Sequence, residues 1–255
     1  MSPAAELETA SVAIAGRAVL DCASLTVGPG EVVGVVGANG AGKTTLLRAA
    51  LGLVRLTAGG ARLGGRPLSD LSELQRAGLA GYLPQERRVA WNMPAWRIVA
   101  LGAAHAAPRE ARRRALIALD DMGLAELAER GVRDMSGGER ARALIARLLA
   151  TQAPLLVADE PTAGLDPDAA LRIMEVLRQR AAGGAAVIVT LHDLTLAARG
   201  CHRLAVMSSG RIVALAPPWE ALSAEVLAQA FSLEGGLVDT PAGWVMAVRR
   251  QSRMV

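Results

Sequence analysis

Gly37-Ala-Asn-Gly-Ala-Gly-Lys-Thr44 restricts what this chain can fold into more than any other segment, because it joins a short β-branched run directly to a helix-like one. Val32 to Val36 reads as a buried strand and Thr44 to Leu53 as a helix, which leaves the glycines in the turn between them. Glycines at 37, 40 and 42 permit backbone conformations and close approaches that side chains would block, so successive N–H groups can face phosphate oxygens. The N-terminus of the helix adds partial positive charge at the same place. In such a loop Lys43 reaches the outer phosphates and the Thr44 hydroxyl is a magnesium ligand, with Asn39 and Thr45 in the same phosphate-binding set. Lys43 is the only lysine among 28 Lys and Arg residues. The chain uses arginine wherever charge alone matters, so an ammonium at this position points to a need for a compact donor that a wide, planar guanidinium does not meet.

Further short apolar runs at Leu155 to Ala158 and Ala186 to Thr190 read as buried strands. Each precedes a turn and a helix-like stretch, Pro167 to Ala182 and Leu194 to Arg199. Strands alternating with helices predict a parallel sheet covered on both faces. Upstream, Glu6 to Ile14 and Ala18 to Val27 read as strands of a smaller antiparallel layer, which Ala61 to Leu63 joins. From Glu86 to Ala150 the strand signal disappears and Ala, Leu, Arg and Glu recur at helical spacing, which predicts an inserted helical lobe. A helix from Ser223 and a hairpin, Leu237 to Val238 with Val245 to Val248, close the chain. The expected organisation is one unit over 1–255, with a core from 1–85 and 151–235, a helical subdomain at 86–150 and a C-terminal hairpin and tail at 236–255.

Composition removes several classes. A chain of 255 residues suffices for one substantial core and is short for two independent domains. Hydrophobic residues make up 52% of it, yet the apolar runs are short; Arg147 interrupts even Leu144 to Ala158. None approaches the roughly 20 uninterrupted residues that cross a bilayer. The opening MSPAAELETA is acidic where an export signal needs basic residues, so a cytoplasmic location is expected. The net charge of +4 is scattered, its densest cluster, Arg112 to Arg114, lies on a predicted helix, and aromatics are 2% of the chain, too few for a base-stacking platform. Nucleic acid is therefore not an expected partner. Cys22 and Cys201 lack metal-ligand spacing and are expected to be small buried hydrophobes.

The strand Leu155 to Ala158 delivers Asp159 and Glu160 at its C-terminal end, where ligands bind in open parallel sheets. With a phosphate loop on the same sheet, Asp159 is read as holding magnesium through water and Glu160 as the general base that polarises the attacking water. Met135-Ser-Gly-Gly-Glu-Arg140 precedes the helical stretch Ala141 to Ala150 and forms a second glycine-rich helix start suited to an anion; taken alone it is equally an ordinary helix start. His192 and Gln85, taken alone, are a loop histidine and a polar residue after Pro84.

Their order changes that reading. The phosphate loop, Tyr82-Leu-Pro-Gln85, Met135-Ser-Gly-Gly, Asp159-Glu160, Ala163-Gly-Leu-Asp166 and His192 follow one another as in the ATP-binding subunits of ATP-binding cassette (ABC) transporters, and the chain resembles that family over nearly its whole length. Met135 departs mildly from the family's leucine. The resemblance implies a P-loop NTPase (RecA-like) fold, α/β with a parallel-sheet core, an N-terminal antiparallel β layer and an inserted α-helical subdomain. It also implies ATP and Mg2+ as ligands. Two subunits would pair head to tail as a homodimer, each ATP clamped between the phosphate loop of one and Ser136, Gly137 and Gly138 of the other. His192 would meet the γ-phosphate and Gln85 would sense magnesium or the attacking water. Asp166 either spans the interface or caps the helix beginning at Pro167. The family stacks adenine on an aromatic residue, where alignment puts Ile14; Arg17 or Val19 can help cover the base, but π-stacking is lost and weaker discrimination between ATP and GTP is expected.

The lack of a membrane segment implies a separate multi-span permease, with the subunit peripheral on the inner face of the membrane. Gly30-Glu-Val-Val33, Tyr82-Leu-Pro-Gln85, Ile98-Val-Ala-Leu-Gly102 with His105, and His192-Asp-Leu194 followed by Ala197 resemble the subgroup that imports ferric siderophores, haem and cobalamin with a periplasmic binding protein. The alternatives are the ATPase of another ABC importer or exporter, a soluble ABC ATPase of iron–sulfur cluster assembly, and a nucleotide-binding module without turnover, which the intact Glu160 and His192 oppose.

Overall fold

Strands β1 (Ala5–Ile14) and β2 (Arg17–Val27) turn on Ala15 and Gly16, both at positive φ, 48° and 78°. The computed structural model describes residues 2–86 and 89–251. Strand β3 (Val32–Gly37) leads through the glycine loop into helix α1 (Lys43–Ala50), and β4 (Ala58–Leu63) and β5 (Arg66–Pro67) follow. The first layer is an antiparallel sheet ordered β2-β1-β4-β5. Helix α2 (Glu73–Leu79) then runs into β6 (Ala80–Leu83). Helices α3 (Ala95–Ala100), α4 (Pro108–Asp121) and α5 (Gly137–Ala150) pack on one another, and among the described residues this stretch holds no strand beyond one bridge, Pro94 with Gly131.

The chain returns to the core with β7 (Leu155–Ala158), α6 (Pro167–Ala182), β8 (Ala186–Thr190), α7 (Leu194–Gly200), β9 (Arg203–Ser208) and β10 (Arg211–Ala216). Short helix α8 (Pro218–Ala221), helix α9 (Ala224–Phe231) and the hairpin β11 (Leu233–Val238) with β12 (Val245–Arg250) close it. The central sheet is ordered β10-β9-β3-β8-β7-β6, with every pair parallel except β10 with β9.

Alternation along the strands divides their continuous apolar runs between two cores. Val32, Val36, Leu156, Ala158, Val187 and Val189 face the helical lobe, α6 and α7. Val33, Val35, Leu155, Val157, Ala186 and Ile188 face α1 and the antiparallel layer. Helix α1 is thus held between two sheets through Leu46, Leu47, Ala49 and Ala50, which fixes the loop that precedes it.

Several elements differ from expectation. Tyr82 lies in a strand, β6, whose four residues are too few to show a period; β9 and β10 and helix α2 also went unread. The signature helix begins at Gly137 rather than Ala141, because Ser136 caps it and the two glycines form its first turn. Cys22 is exposed, unlike buried Cys201: it sits at φ 50° where the β1–β2 register shifts, and this turns its side chain outward. Arg113 and Arg114 both clasp Glu110, and Arg112 lies over the Trp96 ring, so this cluster is largely self-compensated. The ends of the expected lobe and tail, residues 87–88 and 252–255, lie outside the described residues.

One joint carries a pH signature. His202 Nδ1 accepts from Val32 N–H at 2.9 Å, tying the start of β3 to β9, and this bond needs the unprotonated nitrogen. Burial first, then Arg178, holds the His202 pKa below 6.5, with Glu31 opposing. The unfolded chain therefore binds more protons than the folded one just below that pH, so stability falls as pH drops through 6.5 and levels off below the folded value. Urea unfolding across this window should show the fall, and His202→Gln, which can still accept from Val32, should flatten it.

Candidate active site

Gly42 stands at φ 100° as N-cap of α1 and offers no side chain to that helix, so the first-turn amides are left for a ligand. A Cβ at Gly42 would lie 2.8 Å from Val19 O, and one at Gly37 2.5 Å from Met207 O. The loop is therefore packed against β2 and β9 too closely for side chains. Lys43 folds back into it: its Nζ donates to Gly37 O at 2.9 Å and Ala38 O at 3.3 Å, and the residue is buried. Burial lowers the Lys43 pKa, while the carboxylates of Glu160 and Asp159 pull it up.

A cleft of about 510 Å3 opens over the loop, lined by Asn39, Gly40, Gly42, Lys43, Thr44 and Thr45 and, from the far side, by Gln85, Glu160 and His192. The parallel register places Ala158 beside Leu83 and Val189, so the ends of β6, β7 and β8 deliver these groups to one edge. Glu160 sits at φ 50°, a strained conformation for a residue with a side chain. Gln85 Nε2 donates to Glu160 Oε2 at 2.7 Å, and His192 Nε2 lies 2.5 Å from Glu160 Oε1. Beneath them Asp159 has no exposed surface, and its Oδ2 has no hydrogen-bond partner among the described residues.

Thr190, which the sequence reading passed over, joins the two acids. Its Oγ1 donates to Asp159 Oδ1 and accepts from Glu160 N–H, both at 2.6 Å. Its only sequence signal is that it ends a buried strand adjacent to the one ending in Asp159.

Other candidates lie apart from this cleft. Ser136 and Gly137 are exposed and Gly138 half-buried at the start of α5. Ser136 Oγ accepts from Glu139 N–H at 3.2 Å while Glu139 Oε2 accepts from Ser136 N–H at 2.8 Å, and a Cβ at Gly137 would touch nothing. Met135 is buried. Asp166 Oδ1 accepts from Ala169 N–H, so in the single chain it caps α6. Ile14 is 50% exposed at the hairpin tip, whereas Val19 lines the cleft.

A glycine loop cupping a buried lysine, facing two strand-end acids and a histidine, defines a P-loop nucleotide-hydrolysing domain. A family profile described as ABC transporter matches residues 20–163, more than half of the chain, and the chain belongs to that family. It is 40% identical over 229 residues to the Hemin import ATP-binding protein HmuV of Nocardia farcinica, covering 88% of this chain and 80% of that one. To the Cobalamin import ATP-binding protein BtuD of Halobacterium salinarum it is 36% identical over 242 residues, 93% of this chain and 61% of that one. Among solved structures, a dimeric ATP-binding cassette in a post-hydrolysis state with ADP and Pi is similar, with a TM-score of 0.75 and 26% identity over 84% of this chain and 98% of that one. The protein is thus an ATP-binding ABC ATPase.

Thr190→Val keeps the shape but takes away the hydroxyl that donates to Asp159 Oδ1 in a fully buried place, at a cost of about 1–3 kcal/mol for that unsatisfied oxygen, and removes the oxygen that accepts from the Glu160 amide. Urea unfolding should show that loss. Turnover should drop by about tenfold or more from the displaced carboxylate, with ATP affinity changed far less.

Proposed function

We propose that this chain is the ATPase subunit of an ABC importer that carries a metal chelate, such as hemin, cobalamin or a ferric siderophore, through a separate permease. The observation that carries the ATPase chemistry is the convergence of Lys43, Thr44, Gln85, Glu160 and His192 on one cleft, with Asp159 buried beneath it. Its extension to import rests on relatives such as HmuV, which match over most of their own length.

In this reading the amides from Gly37 to Thr45 and the Lys43 ammonium bind the phosphates, and Asn39 lines their edge. ATP displaces the Lys43 Nζ from the carbonyls of Gly37 and Ala38, which it now satisfies. Glu160 accepts a proton from the attacking water, while His192 holds the Glu160 carboxylate in place and meets the γ-phosphate. Thr44, Asp159 and Gln85 suit a magnesium ion: Asp159 Oδ2 is a buried oxygen with no hydrogen-bond partner among the described residues. Among the described residues no three His, Cys, Asp or Glu side chains cluster as a self-sufficient metal site, so hydroxyl, amide, water and nucleotide oxygens would complete the shell. Bound there, magnesium neutralises charge developing on the phosphates.

Ser136, Gly137 and Gly138 lie outside the cleft and serve the ATP of a second copy, so the working unit is a head-to-tail homodimer. Asp166 borders that interface while keeping its cap. Ile14 and Val19 give the adenine aliphatic cover. The chain divides into a nucleotide core at 1–85 and 151–235, a helical subdomain at 86–150 that reaches the permease, and a tail at 236–255. No described helix is long and apolar enough to cross a membrane. In this reading the subunit sits on the cytoplasmic face of the membrane through its permease, which a periplasmic binding protein loads.

Glu160→Gln should lower kcat by about 10²–10⁴-fold while leaving ATP binding intact, whereas Lys43→Ala should remove binding itself. Equilibrium binding and phosphate release measured on both variants test this. Undiminished turnover in Glu160→Gln would remove Glu160 from the mechanism.

A further inference from the structure

Glu160 and His192 have a second side. Behind them, away from the phosphate loop, a cavity of about 270 Å3 lies between the loop that follows Glu160 and the start of α7. Thr162, Leu165, Ala170 and Asp193 help to line it, and among the described residues only Glu160 and His192 line both cavities. These two side chains, joined at 2.5 Å, form the partition between the nucleotide cleft and this rear chamber. Its volume far exceeds the ~10–15 Å3 that one water needs, and it offers the polar partners that keep such a space wet: the Thr162 hydroxyl, the Asp193 and Glu160 carboxylates and the His192 ring. Among the described residues Leu196 N–H donates to the Asp193 carboxylate at Oδ1, which leaves Oδ2 able to accept from water.

The proposed pairing makes such a chamber necessary. A second copy closing over the cleft expels water from the phosphates, which strengthens the electrostatics there, yet each turnover consumes one water at Glu160. We propose that the rear chamber is a water-binding site that supplies the attacking water to Glu160 from behind, through the gap opened when Glu160 and His192 part. Glu160 at φ 50° projects into that partition, and Thr190 holds its amide, so its carboxylate reaches both spaces while the backbone stays fixed. The balance is that of hydrolysis: the water oxygen bonds to the γ-phosphorus, the bond to the β-bridging oxygen breaks, and the water's proton passes to Glu160. Two carboxylates in the wall make the chamber a poor resting place for free phosphate, which favours water as its occupant.

This inference rests on Glu160 as the base, and its test is separate from the test of that role. Ala170 lies on α6 outside the nucleotide cleft, so Ala170→Leu fills the chamber without touching the phosphate loop. It should lower kcat about tenfold, with ATP affinity and ATP-driven pairing within twofold of wild type, and Ala170→Ser, which leaves the space, should retain the wild-type rate. An Ala170→Leu rate within twofold of wild type overturns the proposal, whatever Glu160→Gln does. If Ala170→Leu does not fold, a crystal structure of the ATP-bound Glu160→Gln protein decides instead. Ordered waters running from Asp193 and Thr162 to residue 160 are expected. A chamber filled by protein atoms of the second copy, or one that is dry, overturns it.

Discussion

The Asp159 carboxylate is the constraint around which the site is arranged. It has no exposed surface, one oxygen is held by Thr190 and the other has no hydrogen-bond partner among the described residues. Burying a carboxylate costs several kcal/mol unless charge and hydrogen bonds compensate. Across the same space Lys43 is also buried, with its pKa lowered by that burial. The two opposite charges ease one another's cost, but neither is fully satisfied within the chain. A ligand carrying both a polyanion and a divalent cation would answer both deficits together, as the proposed magnesium–ATP would. A ligand that binds only the folded state adds to its stability.

Positioning follows from the sheet. Because β6, β7 and β8 are parallel and in register, their C-terminal ends present Gln85, Asp159, Glu160 and Thr190 along one edge. Helix α1, pinned between two sheets, sets the loop opposite them. The second glycine motif follows the other logic: Ser136 and Gly137 face solvent at the start of a capped helix. Such an arrangement fits a site completed by another copy.

Legibility in the sequence varied with how much each residue's role shows in local chemistry. The glycine loop was readable because backbone freedom, helix start and lone lysine coincide in a few positions. The strands β3, β7 and β8 were readable because burial on both faces makes them continuous apolar runs. Strand β6 was hidden by its length, and Cys22 by a register shift that only its partner strand produces. Gln85 and His192 owe their place to family order rather than to any local signal. Thr190 showed only as the end of a buried strand, since a threonine there becomes a bridge only once the neighbouring strand is in register.

The central claim is that one chain carries only half of a working site. Hydrolysis rate per chain, measured against protein concentration with sedimentation recording the number of chains per particle, tests it most directly. The account predicts almost no turnover where the protein is monomeric and a specific activity that rises as pairs form. Full specific activity in a monomer would contradict it.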